Sequence, residues 1–422
     1  MGNLSNEQRE WPRWCWTLWA MIAAFGTYFC MYAFRKPFNA AAYDYVLWGW
    51  DAKTILVVSQ VLGYTASKFL AIKFVSEMRP ERRALAILVL IAIAQAALVL
   101  FGLVPRVLQP LCLFANGLPL GMVFGLVLGF LEGRQMTEAL AAGLCTSFIL
   151  ADGIMKSIGG YLLNAGCPEP WMPALAGALY VLPLGLFVWM LSVIPRPSVA
   201  DEAARSVRQP IDRKQRLEFL RKYGWGLFPI VGIYLLTTIL RSFRGDFAPE
   251  LWRELGTATE PAIYTQSELF VALIVLIMNG AAIYVADNRR ALLFALGTCG
   301  IGAVLLCGVI LLRSAYSIDA MTLMITMGLG LYLPYVAIHT TVLERMIALT
   351  RDHGNLGFLM SVVDAVGYLG YVVVLLARKT ISGETKMLGF YLDMSLIAAV
   401  ICIAATAVSA WYFSSKLQLK PA

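Results

Sequence analysis

Residues 82–103 read RRALAILVLIAIAQAALVLFGL: two arginines, then 20 residues without a charge. An α-helix rises about 1.5 Å per residue, so such a run spans the roughly 30 Å hydrocarbon core of a bilayer. The same opening returns at Arg289-Arg290-Ala291-Leu292, 207 residues on, again at the head of a long apolar run. Other pairs keep nearly that offset. Leu131-Glu132 returns as Leu343-Glu344 and Asp152 as Asp364, both 212 residues on, while Tyr28 and Arg35 return as Tyr234 and Arg241, 206 residues on. One such match means little. Four in order at nearly one offset describe a chain built of two similar halves.

The composition agrees. Hydrophobic residues make up 59% of the 422 and charged residues 14%, with a mean hydropathy of +0.71. A soluble domain carries about 25% charged residues, so an ordinary soluble enzyme, a disordered scaffold and a disulfide-stapled module are excluded, and a lipid bilayer is the expected solvent. Twelve apolar segments stand out, at about 15–37, 54–75, 84–103, 110–131, 139–163, 171–194, 225–246, 264–286, 291–312, 319–343, 355–377 and 391–413. Only a helix satisfies its own backbone in lipid at this hydrophobicity. The expectation is an all-α polytopic membrane protein. Its twelve transmembrane helices form two pseudo-symmetric six-helix bundles, 1–194 and 224–422, joined by a polar linker at 195–223. Two parallel six-helix halves describe the major facilitator fold, whose site lies where the halves meet.

With the N-terminus inside, 21 of the 34 Lys and Arg fall in inner segments and 11 in outer ones. That bias predicts a multi-pass protein of the cytoplasmic membrane with both termini cytoplasmic. The net charge of +8 belongs to that asymmetry, and no nucleic-acid partner is read from it. No removable signal peptide is read. The eight cysteines mostly lie in apolar runs without a CxxC pair, and there are two histidines, so no metal or cofactor is expected. No nucleophile–base pair or glycine-rich phosphate loop is evident, and the chain is read as no enzyme.

Charges within spans cost about 2.5–3.5 kcal/mol each on insertion scales, and they mark candidate sites. Tyr28, Tyr32 and Arg35 share one helical face, as do Tyr64 and Lys68, and Tyr234 with Arg241. Two guanidinium forks and a lysine around one cavity make an anion site, to which tyrosine hydroxyls add neutral donors. Each charge also has a structural alternative. Arg35, followed by Lys36 and Pro37, is placed to end the first helix at the outer interface. Lys68 is placed to snorkel to the cytoplasmic edge. Asp152 and Lys156, at i and i+4, are placed to form an internal ion pair. Glu132 and Glu344 are read as gate salt bridges, and His339 as a hydrogen-bonded interior residue. Asp364 has no cation near it in sequence, which makes it the better proton carrier of the two acids.

The stretch Gly26-Thr27-Tyr28-Phe29-Cys30-Met31-Tyr32-Ala33-Phe34-Arg35-Lys36-Pro37-Phe38 resembles the first helix of the organophosphate:phosphate antiporters, the family of the glycerol-3-phosphate and hexose-phosphate transporters within the major facilitator superfamily. Gly63-Tyr64-Thr65-Ala66-Ser67-Lys68-Phe69 is similar to its second helix. Leu240-Arg241 followed by Asp246-Phe247 and Pro249 has the spacing of its seventh. The resemblance implies that Arg35 and Arg241 are paired phosphate-binding arginines, with Tyr28, Tyr32, Tyr64 and Lys68 around them. It departs at Asp152, where the glycerol-phosphate carriers have a His, and in the eroded loop SEMRPERR at 76–83. Asp152, Lys156 and Asp364 are then the coupling or charge-tuning residues. The implied function is alternating-access transport of a small anionic metabolite, an organophosphate first, in exchange for phosphate, by a monomer. A proton-coupled transporter of another organic anion and a transport-inactive anion sensor are the alternatives.

Overall fold

The apolar runs fold as helices, and several of their breaks fall where the sequence removes a backbone donor. The computed structural model describes residues 13–76, 78–131, 137–195, 213–257, 260–281, 284–350, 356–382 and 386–416. Helix α1 (Arg13–Met31) stops short of the expected 37. A 3₁₀ turn at Tyr32–Phe34 and another at Pro37–Ala40 carry the chain across the end of the bundle. A small hairpin follows, β1 (Val46–Leu47) pairing antiparallel with β2 (Trp50–Asp51). Both turn residues, Trp48 and Gly49, have positive φ, the handedness that a two-residue hairpin requires. Then come α2 (Ala52–Ser76), α3 (Pro80–Leu103), α4 (Gln109–Leu131) and α5 (Thr137–Asn164). The expected sixth segment is two helices, α6 (Met172–Leu179) and α7 (Val181–Ser192), bent by 43°. Pro183 lacks the N–H that would bond back to the carbonyl of Leu179, which opens the helix at that joint.

The second half runs α8 (Arg213–Asp246), α9 (Ala248–Glu254), α10 (Ala262–Ala281), α11 (Asn288–Ala315) and α12 (Ala320–Ala337). A π turn at Ile338–Val342, α13 (Leu343–Thr350), α14 (Leu356–Ser382) and α15 (Met387–Lys416) complete it. Residues 213–223 of the expected linker are helical, as the first turns of α8; 196–212, like Glu132, lie outside the described residues. The tenth segment, expected as one helix, changes register soon after Pro334, whose ring also costs a backbone bond. Among the described residues nine helices are long and apolar enough to cross a membrane, ten with the bent α6–α7 pair as one span. Twelve were expected. Outside that count stand α5 and α14, 28 and 27 residues long, which carry the interior charges Asp152, Lys156 and Asp364.

In the first half α2 packs on α4, α3 on α4, and α1 on α5 and α7; in the second α11 packs on α12 and α15, and α8 on α14 and α15. The α2–α4 seam is close enough to demand glycine: a Cβ on Gly63 would collide with the carbonyl of Phe114, and one on Gly117 with that of Gln60. The two most extensive contacts between the halves are α5 on α10 and α2 on α14. The repeat offset carries α2 into α10 and α5 into α14, so these contacts are equivalent under a two-fold relation. Large apolar side chains such as Leu85, Leu103, Leu182, Phe228 and Ile277 point outward, as a lipid-facing surface requires.

Candidate functional site

Between the halves, tyrosines and charges from α1, α2, α8, α12 and α14, with His339 of the π turn, line a small central cavity. Arg35 lies in the turn after α1 with 5% of its surface exposed. The helix ends before it, yet the side chain turns inward. Its guanidinium carbon sits 3.8 Å from the ring centre of Tyr64, 5.9 Å from Tyr32 and 5.8 Å from Tyr368. Arg241, from α8, approaches the same Tyr368 ring to 6.0 Å and lies 4.2 Å from Tyr335. It donates to the Tyr335 hydroxyl at 3.2 Å and the Tyr368 hydroxyl at 3.0 Å. Tyr28 packs edge-on to Tyr32 at 5.5 Å and to Phe124 at 5.3 Å. The expected cluster of Tyr28, Tyr32, Tyr64, Lys68, Arg35 and Arg241 is thus brought together.

Lys68 lines this space but is not idle. Its Nζ lies 2.8 Å from Oδ2 of Asp364, an ion pair from one half to the other. The expectation that Asp364 lacks a cation is therefore corrected: its partner sits on α2, invisible at any spacing within α14. The other carboxylate oxygen accepts from the Tyr234 hydroxyl at 2.9 Å. Tyr234, Tyr335 and His339 stack as three nearly parallel rings, with centroids 5.0–6.1 Å apart. His339 Nδ1 has no hydrogen-bond partner among the described residues, contrary to the expected bonded interior histidine.

Asp152 and Lys156 form the expected pair at 2.5 Å, but they do not line the cavity. They belong to an ionic network at the far ends of α1 and α8. Lys36 bridges Asp152 at 3.2 Å and Asp246 at 2.6 Å. Asp246 also accepts from Asn39 at 2.8 Å and Tyr371 at 3.1 Å. Lys156 donates to the Gly245 carbonyl at 2.7 Å, and Lys53 meets Glu250 at 2.5 Å. Sequence reasoning missed Lys36, Lys53 and Glu250. The one signal for Lys36 was its place beside Arg35. A further buried pair, Arg244 with Glu268 at 2.5 Å, stays within the second half, where Arg244 also donates to the Met324 carbonyl.

The buried cations thus divide. Lys36, Lys53, Lys68, Lys156 and Arg244 each have a carboxylate within 3.2 Å, whereas Arg35 and Arg241 have none among the described residues.

A model described as a family of unknown function, DUF5690, matches residues 37–416. No curated protein matches the chain. Among solved structures, that of a D-xylose-proton symporter is similar with a TM-score of 0.59 at 15% identity, covering 92% of this chain and 96% of that one. The MFS proton:xylose symporter XylE bound to 6-bromo-6-deoxy-D-glucose gives a TM-score of 0.59 at 15% identity, covering 93% and 94%. The inward-open XylE of E. coli gives 0.54 at 12%, covering 92% and 94%. The chain therefore has the all-α major facilitator fold of membrane transporters.

Proposed function

The chain belongs to the DUF5690 family of unknown function, and we propose that within it this protein is a secondary active transporter of a small anionic metabolite, an organophosphate first, which it exchanges for phosphate. The observation that carries the reading is the pair of buried guanidiniums without carboxylates. An unpaired buried charge costs several kcal/mol, whereas a charge met by an opposite one with its hydrogen bonds filled does not. Arg35 comes from the first half and Arg241 from the second, and both flank the ring of Tyr368. An anion drawn between them satisfies both forks and pulls the halves together. Phosphate suits the site, because its oxygens accept paired bonds and its charge of about −1.5 to −2 balances two arginines.

Transport follows by alternating access. Lys36–Asp246 and Lys53–Glu250 tie the halves at one end; with both termini in the cytoplasm that end faces outside. Opening it breaks these ties, and the anion at Arg35 and Arg241 holds the centre while one end opens and the other closes. The carrier without an anion would have to reorient with two unpaired guanidiniums enclosed, which favours exchange over net flow. A proton-coupled carrier of another organic anion is the second reading, supported by the acid Asp364 on the cavity wall.

The test is counterflow in proteoliposomes. Internal phosphate should accelerate entry of labelled phosphate, and phosphorylated metabolites should compete better than carboxylates of similar size. Transport of D-xylose with no response to any anion would overturn the reading. Uptake into phosphate-free vesicles driven by an imposed pH gradient, and lost in Asp364→Asn, would favour the second.

A further inference from the structure

Resting on the anion-exchange reading, we propose that Asp364 is a tethered stand-in for the substrate: it occupies Lys68, the third cation of the site, until an arriving anion displaces it. Asp364 thereby sets how tightly anions bind.

Three observations meet here. Lys68 and Asp364 both line the central cavity, with 14% and 8% of their side chains exposed, so the pair lies within reach of whatever enters. The pair is the only contact that Asp364 makes with a cation at bonding distance among the described residues. Arg241 spends its Nη2 on the Tyr335 and Tyr368 hydroxyls instead. Lys68 in turn has the rings of Tyr64 and Phe124 5.1 and 5.6 Å away, which favour a cation there without fixing its direction. An ammonium on a long stem turns from one oxygen to another at little cost.

The exchange costs Asp364 its cation, and that cost is what the arriving anion must overcome. When Lys68 turns to the anion, Oδ1 of Asp364 keeps the Tyr234 hydroxyl, and Oδ2 loses the ammonium. Because the pair crosses from α2 to α14, its release also removes a tie between the halves. The anion thus takes over as the bridge, now through Lys68 and both arginines. A purely structural ion pair predicts something different. Breaking it would loosen the site and weaken binding, whereas removing a competitor strengthens binding.

The experiment is equilibrium binding of labelled inorganic phosphate to purified full-length protein. Asp364→Asn should bind phosphate at least tenfold more tightly than wild type. Lys68→Gln should bind at least tenfold more weakly, and adding Asp364→Asn to Lys68→Gln should restore nothing, because no cation is left to compete for. Equal or weaker binding in a monodisperse Asp364→Asn, or the same gain with and without Lys68, overturns the proposal. If Asp364→Asn does not fold, Asp364→Ser, which also removes the competing charge, is read by the same criterion: tighter binding that depends on Lys68 supports the proposal, and equal or weaker binding overturns it. Wild-type protein that binds no phosphate or organophosphate removes the exchange reading itself; wild type that binds, with Asp364→Asn no tighter, removes only this inference.

Discussion

Replacing Arg35 or Arg241 by lysine keeps the charge and removes the fork, so it tests the anion site without emptying it. Arg35 has its guanidinium 3.8 Å from the Tyr64 ring centre and no carboxylate partner among the described residues. Its side-chain donors make no hydrogen bond to a described residue, and the proposed function assigns them to the anion. A lysine offers a point charge where arginine offers two parallel bonds. Losing one charge-assisted bond costs about 1.5–3 kcal/mol, and each 1.4 kcal/mol is about tenfold in affinity. Phosphate should therefore bind about 10- to 150-fold more weakly in Arg35→Lys. Arg241→Lys should fall towards the weaker end, because it also gives up donation to the Tyr335 and Tyr368 hydroxyls that orient it. Arg244→Lys is the control. Arg244 is committed to Glu268 and the Met324 carbonyl, so its loss should lower thermal stability and leave phosphate affinity within about threefold. The assay is equilibrium binding of labelled phosphate to variants that elute as monodisperse protein. Wild-type affinity in both Arg35→Lys and Arg241→Lys would refute the two-arginine site.

Three further outcomes are expected. Asp152→Asn leaves Lys156 and Lys36 with one acid fewer, so it should lower the melting temperature more than Asp152→Asn combined with Lys156→Gln; simple additivity in that cycle would dissolve the pair. Asp246→Asn weakens a tie to Lys36 and Asn39 of the other half, so an impermeant maleimide should label a cysteine placed at Ser157, buried at the seam between the halves, about tenfold faster or more; an unchanged rate would mean that the network is not a gate. Gly117→Ala should destabilise markedly because its Cβ meets the Gln60 carbonyl, while Gly297→Ala, with open space beside it, should stabilise by up to about 1 kcal/mol; the reverse order would discredit the α2–α4 packing.

What the sequence made legible was local or repeated. Helices followed from apolarity, and Asp152–Lys156 followed from a spacing of four. Arg35 and Arg241 stood out because the repeat duplicated them. What it hid were partners 197 and 210 residues apart, as in Lys53–Glu250 and Lys36–Asp246. Spacing along the chain says nothing of the register between two packed helices. The repeat even misdirected: it matched Asp364 with Asp152, and the missing lysine beside Asp364 looked like a free acid. Equivalence under a two-fold relation is not contact, and the lysine came from α2. A physical pattern underlies these pairs. Two identical halves would present like charges to each other wherever an ionisable residue lay near the axis. Here the first half supplies Lys36, Lys53 and Lys68, and the second answers with Asp246, Glu250 and Asp364. The repeat does not equate the two members of these pairs: Lys36 has Ser242 at its offset, and Asp364 has Asp152. The matching of charge across the seam arose at non-equivalent positions, and it lets the halves close. Arg35 and Arg241 are the exception, equivalent in the repeat and alike in charge, both beside the Tyr368 ring and neither in an ion pair among the described residues. On the proposed function, a seam that is charge-matched at three pairs and left unmatched at its centre is completed by an anion from outside, whose charge would meet both arginines.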